Sequence, residues 1–210
     1  MSRLAVWATV LCCASTLVAA SPQRRGTKAA PPKAAPTVKA TTQTCAAELG
    51  NGASSGRRFC DVIIATKAEE SVAVAIPPHR GTAKLLFDVH NRVAVPPERG
   101  QVLQSFARNA ATIAVVGPKG EIGRGAAVSE FRTVADPFDR ILGGAPGVVK
   151  AVAPGPATAI DITVPAAVNS IGIVGVRLDV VTRLGPQRYD TPGRPIAIVS
   201  NLRVEYTPLR

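Results

Sequence analysis

The chain has 210 residues and a formal net charge of +11, from 25 lysine and arginine residues against 14 acidic residues. This length fits one domain with a sizeable core and short extensions. The sequence has only 2 histidines and 4 cysteines, without metal-binding spacing among them, which argues against a zinc or iron site. No cofactor is suggested.

The first 20 residues have the anatomy of an export signal. Arg3 supplies the positive charge, and residues 4–18 form an apolar core. Val18, Ala19 and Ala20 place small residues where a signal peptidase cleaves. We therefore expect cleavage after Ala20 and a secreted, periplasmic or envelope-bound protein; an uncleaved N-terminal anchor is the alternative. No later run is long and apolar enough to predict a transmembrane segment in the mature chain.

Residues 21–44 are rich in proline, alanine, lysine and threonine, and they contain no acidic residue. This composition cannot form a packed core, so we expect a disordered or semi-extended spacer. Its positive charges are Arg24, Arg25, Lys28, Lys33 and Lys39. Such a spacer suits either a plain linker or attraction to an anionic envelope polymer or lipid surface.

Residues 45–210 are predicted to form the single folded domain. This part has 19 lysine and arginine residues against 14 acidic residues, so the domain itself is only modestly basic. Its largest basic cluster is Arg57-Arg58, and charges of both signs alternate elsewhere. Nucleic acid is therefore not an expected partner, whereas a glycan or a protein remains open.

Two cysteines remain after signal removal, Cys45 and Cys60. In an oxidising compartment an isolated pair of cysteines predicts one disulfide. The bond would join the end of the spacer to the start of the first strong strand. A metal or redox pair would need closer spacing and histidine partners.

From Cys60 onward the apolar residues follow the period of β-strands. We expect a hairpin of strands 71–76 and 82–90 around the turn 77–81, and another around residues 117–120. Further strands are predicted at 60–66, 101–108, 111–116, 123–134, 147–153, 157–165, 170–184 and 195–206. Apolar and polar side chains alternate along these strands, so each strand has one buried and one exposed face. This pattern predicts an all-β antiparallel sandwich of jelly-roll or immunoglobulin-like type. A closed β-barrel is the alternative.

One short helix is predicted near residues 136–143. Asp136 suits the N-cap and Pro137 the first helical position, while Gly143 or Gly144 would end the helix. Asp136 and Asp139 are too few and too widely spaced for a calcium site, so helix capping is the favoured role for these carboxylates.

The stretch from Lys84 to Arg92, KLLFDVHNR, is the densest group of candidate catalytic side chains. Its alternation predicts a strand with Leu85, Phe87 and Val89 in the core. The opposite, solvent-exposed (wet) face would carry a charge ladder, that is, a row of side chains of alternating charge. Asp88 and His90 are predicted to lie on that wet face, too far apart for a catalytic relay. His79 is predicted at the distant turn, so the two histidines should not share a metal ion.

Residues 52–56 match the nucleophile elbow of hydrolases, Gly-x-Ser-x-Gly. They lie in a polar loop without a preceding buried strand, which argues against that role. The sequence thus identifies no catalytic residue.

The loop 183–195 is the best candidate contact surface, because loops carry many binding residues and this one mixes charged, amide and aromatic groups. The candidate ligand-binding residues are Arg183, Gln187, Arg188, Tyr189, Asp190 and Arg194. An ordinary strand connection is the competing interpretation.

These features predict an exported, non-enzymatic β-sandwich with a binding or structural role at the cell envelope or outside the cell. A carbohydrate-binding module that uses polar loops is one alternative. A hydrolase with acidic residues on sandwich loops is another, and it would need two carboxylates that converge in a cleft.

Overall fold

The computed structural model describes residues 35–66, 68–94, 107–131, 137–182 and 185–209. Apart from a 3-10 turn at Ala68–Glu70, its regular elements are all strands. The strands are β1 (Thr37–Ala40), β2 (Gln43–Cys45), β3 (Glu48–Gly52), β4 (Arg58–Ile63), β5 (Val72–Ala75), β6 (His79–Asn91), β7 (Val93–Ala94), β8 (Ala107–Gly117), β9 (Gly120–Phe131), β10 (Pro137–Leu142), β11 (Val149–Pro154), β12 (Thr158–Val164), β13 (Ser170–Thr182), β14 (Gly185–Tyr189) and β15 (Pro195–Pro208).

The strands form two antiparallel sheets, which confirms the predicted β-sandwich. The first sheet has the order β12-β6-β15-β4-β3-β10-β11-β7, with β1 added along β15. The second sheet has the order β2-β5-β13-β8-β9, with β14 added along β13. The first sheet curls into a half-barrel. The closed barrel, which was the alternative, is not what forms.

The main core lies between the two sheets. On β6, Leu85, Phe87 and Val89 are buried in it, as their alternation predicted. The second sheet contributes the buried side chains of Ile113 and Ile173. Alternate residues of a strand point to opposite faces, so these strands each supply one apolar stripe.

A second, smaller core lies on the other face of the first sheet. The curl brings β3, β10 and β11 over the face of β4 and β15 that points away from the second sheet. Phe59 and Ile198 are fully buried there. The remaining members of this core are Leu49, Ile141, Ala151 and Ala153. Strand β15 is therefore buried on both faces along residues 196–200, where Ala197 and Val199 enter the main core instead.

The predicted disulfide between Cys45 and Cys60 is present; the two residues are 15 positions apart in sequence and their Cα atoms lie 5.5 Å apart. Cys45 ends β2 in the second sheet, and Cys60 lies on β4 in the first. The bond therefore ties the two layers of the sandwich together. Beside it, the Arg58 guanidinium donates to the carbonyl of Gln43, also on β2.

The predicted helix near residues 136–143 is wrong. Pro137–Leu142 forms strand β10, which pairs with β11 on one side and β3 on the other. Non-local pairing on both edges, together with the burial of Ile141, outweighs the local capping signals.

Two further expectations differ from the structure. Strands 71–76 and 82–90 are not a hairpin: β5 belongs to the second sheet and β6 to the first, so residues 77–81 cross between layers and His79 begins β6. The last part of the predicted spacer is ordered, because Thr37–Ala40 pairs with β15 and Gln43–Cys45 pairs with β5. The signal segment and residues 21–34 lie outside the described residues.

Candidate functional site

The outer face of β6 carries Asp88 and His90, which belong to the densest group of candidate catalytic side chains in the sequence. Asp88 lies opposite Ser200 of β15, and His90 lies opposite Ile198. This face was expected to be wet. Because the first sheet curls over it, His90 is only 1% exposed and Ser200 is fully buried. The expected charge ladder along β6 is also wrong, since its charged residues pair with other strands and turns.

His90 is held in an aromatic and polar pocket. Its Nδ1 atom lies 2.9 Å from the carbonyl oxygen of Pro154, at the end of β11. The ring of Phe138 lies 5.1 Å away by ring centroids, and the ring of Phe59 meets it edge-on at 6.0 Å. A carbonyl only accepts hydrogen bonds, so Nδ1 carries the proton and Nε2 is the unprotonated nitrogen. Burial lowers the pKa of His90, against the opposing effects of the Pro154 carbonyl and Asp88.

Asp88 is engaged by two donors from other parts of the chain. Arg57 Nη1 lies 3.1 Å from Asp88 Oδ2, and Asn201 Nδ2 donates to the same oxygen at 2.9 Å. Asn201 has a φ of 54° and lies where the register of β15 against β6 shifts. That left-handed conformation is one which asparagine tolerates better than most residues. The Arg57 guanidinium also lies 5.3 Å above the ring of Phe138, so it covers the pocket that holds His90.

Asp139 organises the turn that precedes Arg57. Its two carboxylate oxygens accept from the backbone N–H groups of Ser54 and Ser55, each at 2.9 Å. Burial raises the pKa of Asp139, but hydrogen bonds from the Ser55 hydroxyl and from the backbone N–H groups of Ser54, Ser55 and Arg140 outweigh it and hold the pKa below its usual range. Ser54, the serine in the nucleophile position of the Gly-x-Ser-x-Gly match, therefore lies in a turn held by Asp139 and not in a nucleophile elbow. The predicted helix-capping role of Asp139 is replaced by this turn contact.

A second ion pair, with a buried carboxylate, lies just past the end of β6. Arg92 Nε is 2.8 Å from Asp61 Oδ1, and the Asp61 side chain is 8% exposed. Burial raises the pKa of Asp61, and Arg92 partly offsets this effect. The pair fixes the strand end without leaving a free carboxylate.

The predicted contact loop contains strand β14, so part of it is sheet. Gln187, Arg188 and Tyr189 lie on this strand, which pairs with the last part of β13. Because side chains alternate along a strand, Arg188 points to one face and its two neighbours to the other. The candidate residues of β14 therefore form two groups, Arg188 on one face of the sheet and Gln187 with Tyr189 on the other. Arg183 lies outside the described residues.

Each group is held by contacts within the chain. Asp179 receives Arg188 Nε at 2.8 Å and Arg177 Nε at 3.0 Å. On the opposite face, the Arg194 guanidinium lies 3.8 Å above the Tyr189 ring, and the Tyr189 hydroxyl donates to Gln187. Asp190 is exposed at the end of β14.

A shallow groove lies where β1, β6, β12 and β15 meet. Threonine hydroxyls at Thr82, Thr163 and Thr207 line it, together with Lys84 and Glu205. The Lys84 ammonium lies 3.4 Å from Asp161, so this cation already has an acidic neighbour.

Within the described ranges, no group of three or more histidine, cysteine, aspartate or glutamate residues could hold a metal ion. The same part of the chain contains no helix long and apolar enough to cross a bilayer.

The sequence identified Asp88 and His90 but missed their surroundings. Arg57, Phe138 and Asn201 come from three separate segments, and only the curl of the first sheet brings them together. The one available signal was that Arg57 begins the largest basic cluster of the domain. Comparisons of the chain with protein-family models, with curated proteins and with solved structures give no match.

Proposed function

We propose that the chain is an exported, non-enzymatic β-sandwich domain with a binding or structural role at the cell envelope or outside the cell. The observation that carries this proposal is the engagement of Asp88 and His90. The Asp88 carboxylate is shared by Arg57 and Asn201, and His90 is only 1% exposed, so its unprotonated Nε2 atom is closed off from solvent. Groups arranged in this way stabilise the curled sheet and are poorly placed for proton transfer to a substrate.

The disulfide supports export. Bonds of this kind form and persist in oxidising compartments, and the Cys45–Cys60 bond joins the two layers of the sandwich. The signal-like first 20 residues point to the same route.

The binding surface that we propose is the basic segment 21–44, with an anionic polymer of the cell envelope as its partner. Five positive charges without an acidic neighbour in the segment attract a polyanion by long-range electrostatics. An anionic lipid surface would be attracted in the same way, so the experiment must separate the two.

Sugar recognition by the β14 region is less well supported. A sugar ring stacks on an exposed aromatic face, but the Arg194 guanidinium already covers one face of the Tyr189 ring. The Tyr189 hydroxyl is also directed toward Gln187.

The test uses the protein as it is exported, applied to a resin that carries an anionic polysaccharide and, separately, to vesicles containing anionic lipid. We expect retention on the resin that weakens with salt. A variant in which Arg24, Arg25, Lys28, Lys33 and Lys39 are replaced by glutamine should elute at clearly lower salt. The control variant replaces exposed cations of the folded domain, namely Arg80, Lys119, Arg140 and Arg203. It should elute close to the wild type.

Retention on vesicles alone would assign the segment to lipid. Equal losses in both variants would contradict a specific role for residues 21–44. Turnover of a model ester or glycoside that is lost in Asp88→Asn would overturn the non-enzymatic assignment and favour the hydrolase.

A further inference from the structure

Strand β9 ends the second sheet, and among the described strands it is bonded to β8 alone. It is 12 residues long, and such an edge presents a row of backbone donors and acceptors to another chain. Many proteins prevent pairing there with charged side chains or bulges. On β9 the charged side chains Arg124 and Glu130 have opposite signs, so they can attract a second strand instead of repelling it.

The inner face of β9 packs inside the sandwich. Ala127 is 1% exposed and belongs to the main core. An added Cβ atom at Gly125 would lie 2.8 Å from the side chain of Ile160 on β12, so the two sheets touch closely there. The outer face of β9 is exposed and carries Arg124, Ala126, Val128 and Glu130.

The backbone groups of the outer-face residues point away from β8. Gly117 and Gly120 close the β8–β9 hairpin across a two-residue turn, which makes them a hydrogen-bonded pair. From there, backbone groups alternate between the two edges of the strand, with one extra residue at the bulge beside Val115. This alternation directs the N–H and C=O groups of the four outer-face residues to the outer edge of the sheet.

The outer-face residues are arranged symmetrically in charge about Ala127. If two β9 strands pair antiparallel with Ala127 at the centre, Arg124 lies opposite Glu130 of the second copy, and Ala126 lies opposite Val128. Opposite charges then face each other at both ends of the paired segment. Directly opposed charges of unlike sign stabilise antiparallel pairs, whereas like charges destabilise them.

Other registers lose this match. A pairing centred on Arg124 would place two arginines opposite each other, and one centred on Glu130 would oppose two glutamates. The side chains between the charged ends are small or apolar; Val128 is 48% exposed and would be covered. We infer that β9 is a homodimerisation edge, at which two copies of this chain join their second sheets antiparallel about Ala127.

The symmetry of this contact explains why a second copy is the fitting partner. A two-fold contact presents the same patch twice, so the patch must be complementary to itself. Residues 124–130 of β9 meet that condition in charge, in side-chain size and in the direction of the backbone groups. Arg124 already contacts Glu121 in its own chain, with Nη2 2.6 Å from Oε2. Glu130 also has an interaction within its own chain. The guanidinium has five N–H donors and a carboxylate has about four acceptor positions, so each can take the other as an additional partner across the contact.

Sedimentation of the exported protein over a range of concentrations tests this inference. We expect a monomer–dimer equilibrium that weakens with added salt, because the ion pairs are exposed. Ala126→Pro removes an outward-pointing N–H without removing a bond to β8, so it should yield a folded monomer. Its thermal stability should match that of the wild type measured at concentrations at which the wild type is monomeric. Arg124→Glu should raise the dimer dissociation constant about tenfold or more. The exchanged pair Arg124→Glu with Glu130→Arg should restore dimerisation.

Arg177→Glu is the matched control, since Arg177 is an exposed arginine of the second sheet but lies on the interior strand β13. It should leave the dimer intact. Amide exchange adds a readout of the register: the N–H groups of residues 124, 126, 128 and 130 should be protected only at concentrations that give dimer. A monomeric wild type, or an Ala126→Pro variant that dimerises like the wild type, would overturn the inference.

Discussion

The Nδ1 atom of His90 lies 2.9 Å from the carbonyl oxygen of Pro154, which ties β6, near one edge of the first sheet, to β11, near the opposite edge. His90 is on β6 and Pro154 ends β11, and four strands, β15, β4, β3 and β10, lie between β6 and β11 in the order of the sheet. The contact is therefore possible only because the sheet curls. His90, a candidate catalytic residue in the sequence, therefore stabilises the curled half-barrel.

The buried imidazole of His90 should make stability depend on pH. Burial lowers its pKa in the folded state, so below about pH 6.5 the unfolded chain binds a proton that the folded chain does not. The free energy of unfolding should fall as pH drops through this range, with a contribution of at most about 1.4 kcal/mol per pH unit. Urea denaturation of the wild type and of His90→Gln should show this difference in slope.

Above about pH 7.5 the imidazole is neutral in both states, so the two proteins should show the same slope there. An identical pH dependence of His90→Gln and the wild type below about pH 6.5 would show that the ring is not desolvated in solution.

The disulfide between β2 and β4 should contribute strongly to stability. Its closed loop of 15 residues corresponds to about 3 kcal/mol in the chain-entropy model. Reduction with dithiothreitol should lower the free energy of unfolding by about this amount, as measured by denaturation with and without the reductant. Two free thiols in the protein prepared without reductant would contradict the bond.

Asp139 should be essential to the turn between β3 and β4. Asp139→Ala leaves the backbone N–H groups of Ser54 and Ser55 without their acceptor, at about 1–3 kcal/mol each. We expect a loss of about 2–4 kcal/mol in chemical denaturation. The control is Asp161→Ala, since that side chain is 64% exposed and pairs only with Lys84 at the surface; its effect should stay within about 1 kcal/mol.

The same interaction has a defined pH range. The hydrogen bonds hold the pKa of Asp139 below its usual value in spite of burial, so their stabilisation is fully present above about pH 4 and is lost as pH falls further. A stability difference between wild type and Asp139→Ala that grows on acidification would contradict this assignment.

The contact of Gly125 with Ile160 should respond to a size exchange. In Gly125→Ala the new methyl group would lie 2.8 Å from Ile160 Cδ1 and 3.1 Å from Cγ2, so we expect a loss of about 1–3 kcal/mol. Adding Ile160→Val removes the nearer methyl group and should recover part of that loss, which thermal denaturation of the three variants would measure. Strictly additive losses would show that the two residues do not touch.

Much of the strand pattern was determined by the sequence alone. Alternation correctly assigned Leu85, Phe87 and Val89 to the main core. The isolated pair of cysteines correctly predicted the disulfide. These features are local, or depend on a choice between very few partners, so periodicity and composition are sufficient to find them.

Only the tertiary structure decided whether the second face of the first sheet is exposed or buried. Alternation shows that Asp88 and His90 point away from the main core, but it does not show what covers them. The curl brings in Phe138 and Arg57, buries β15 on both faces and makes β10 a strand in spite of its helix-capping residues. Curvature and strand order arise from pairings between residues far apart in sequence, and no local pattern encodes those pairings.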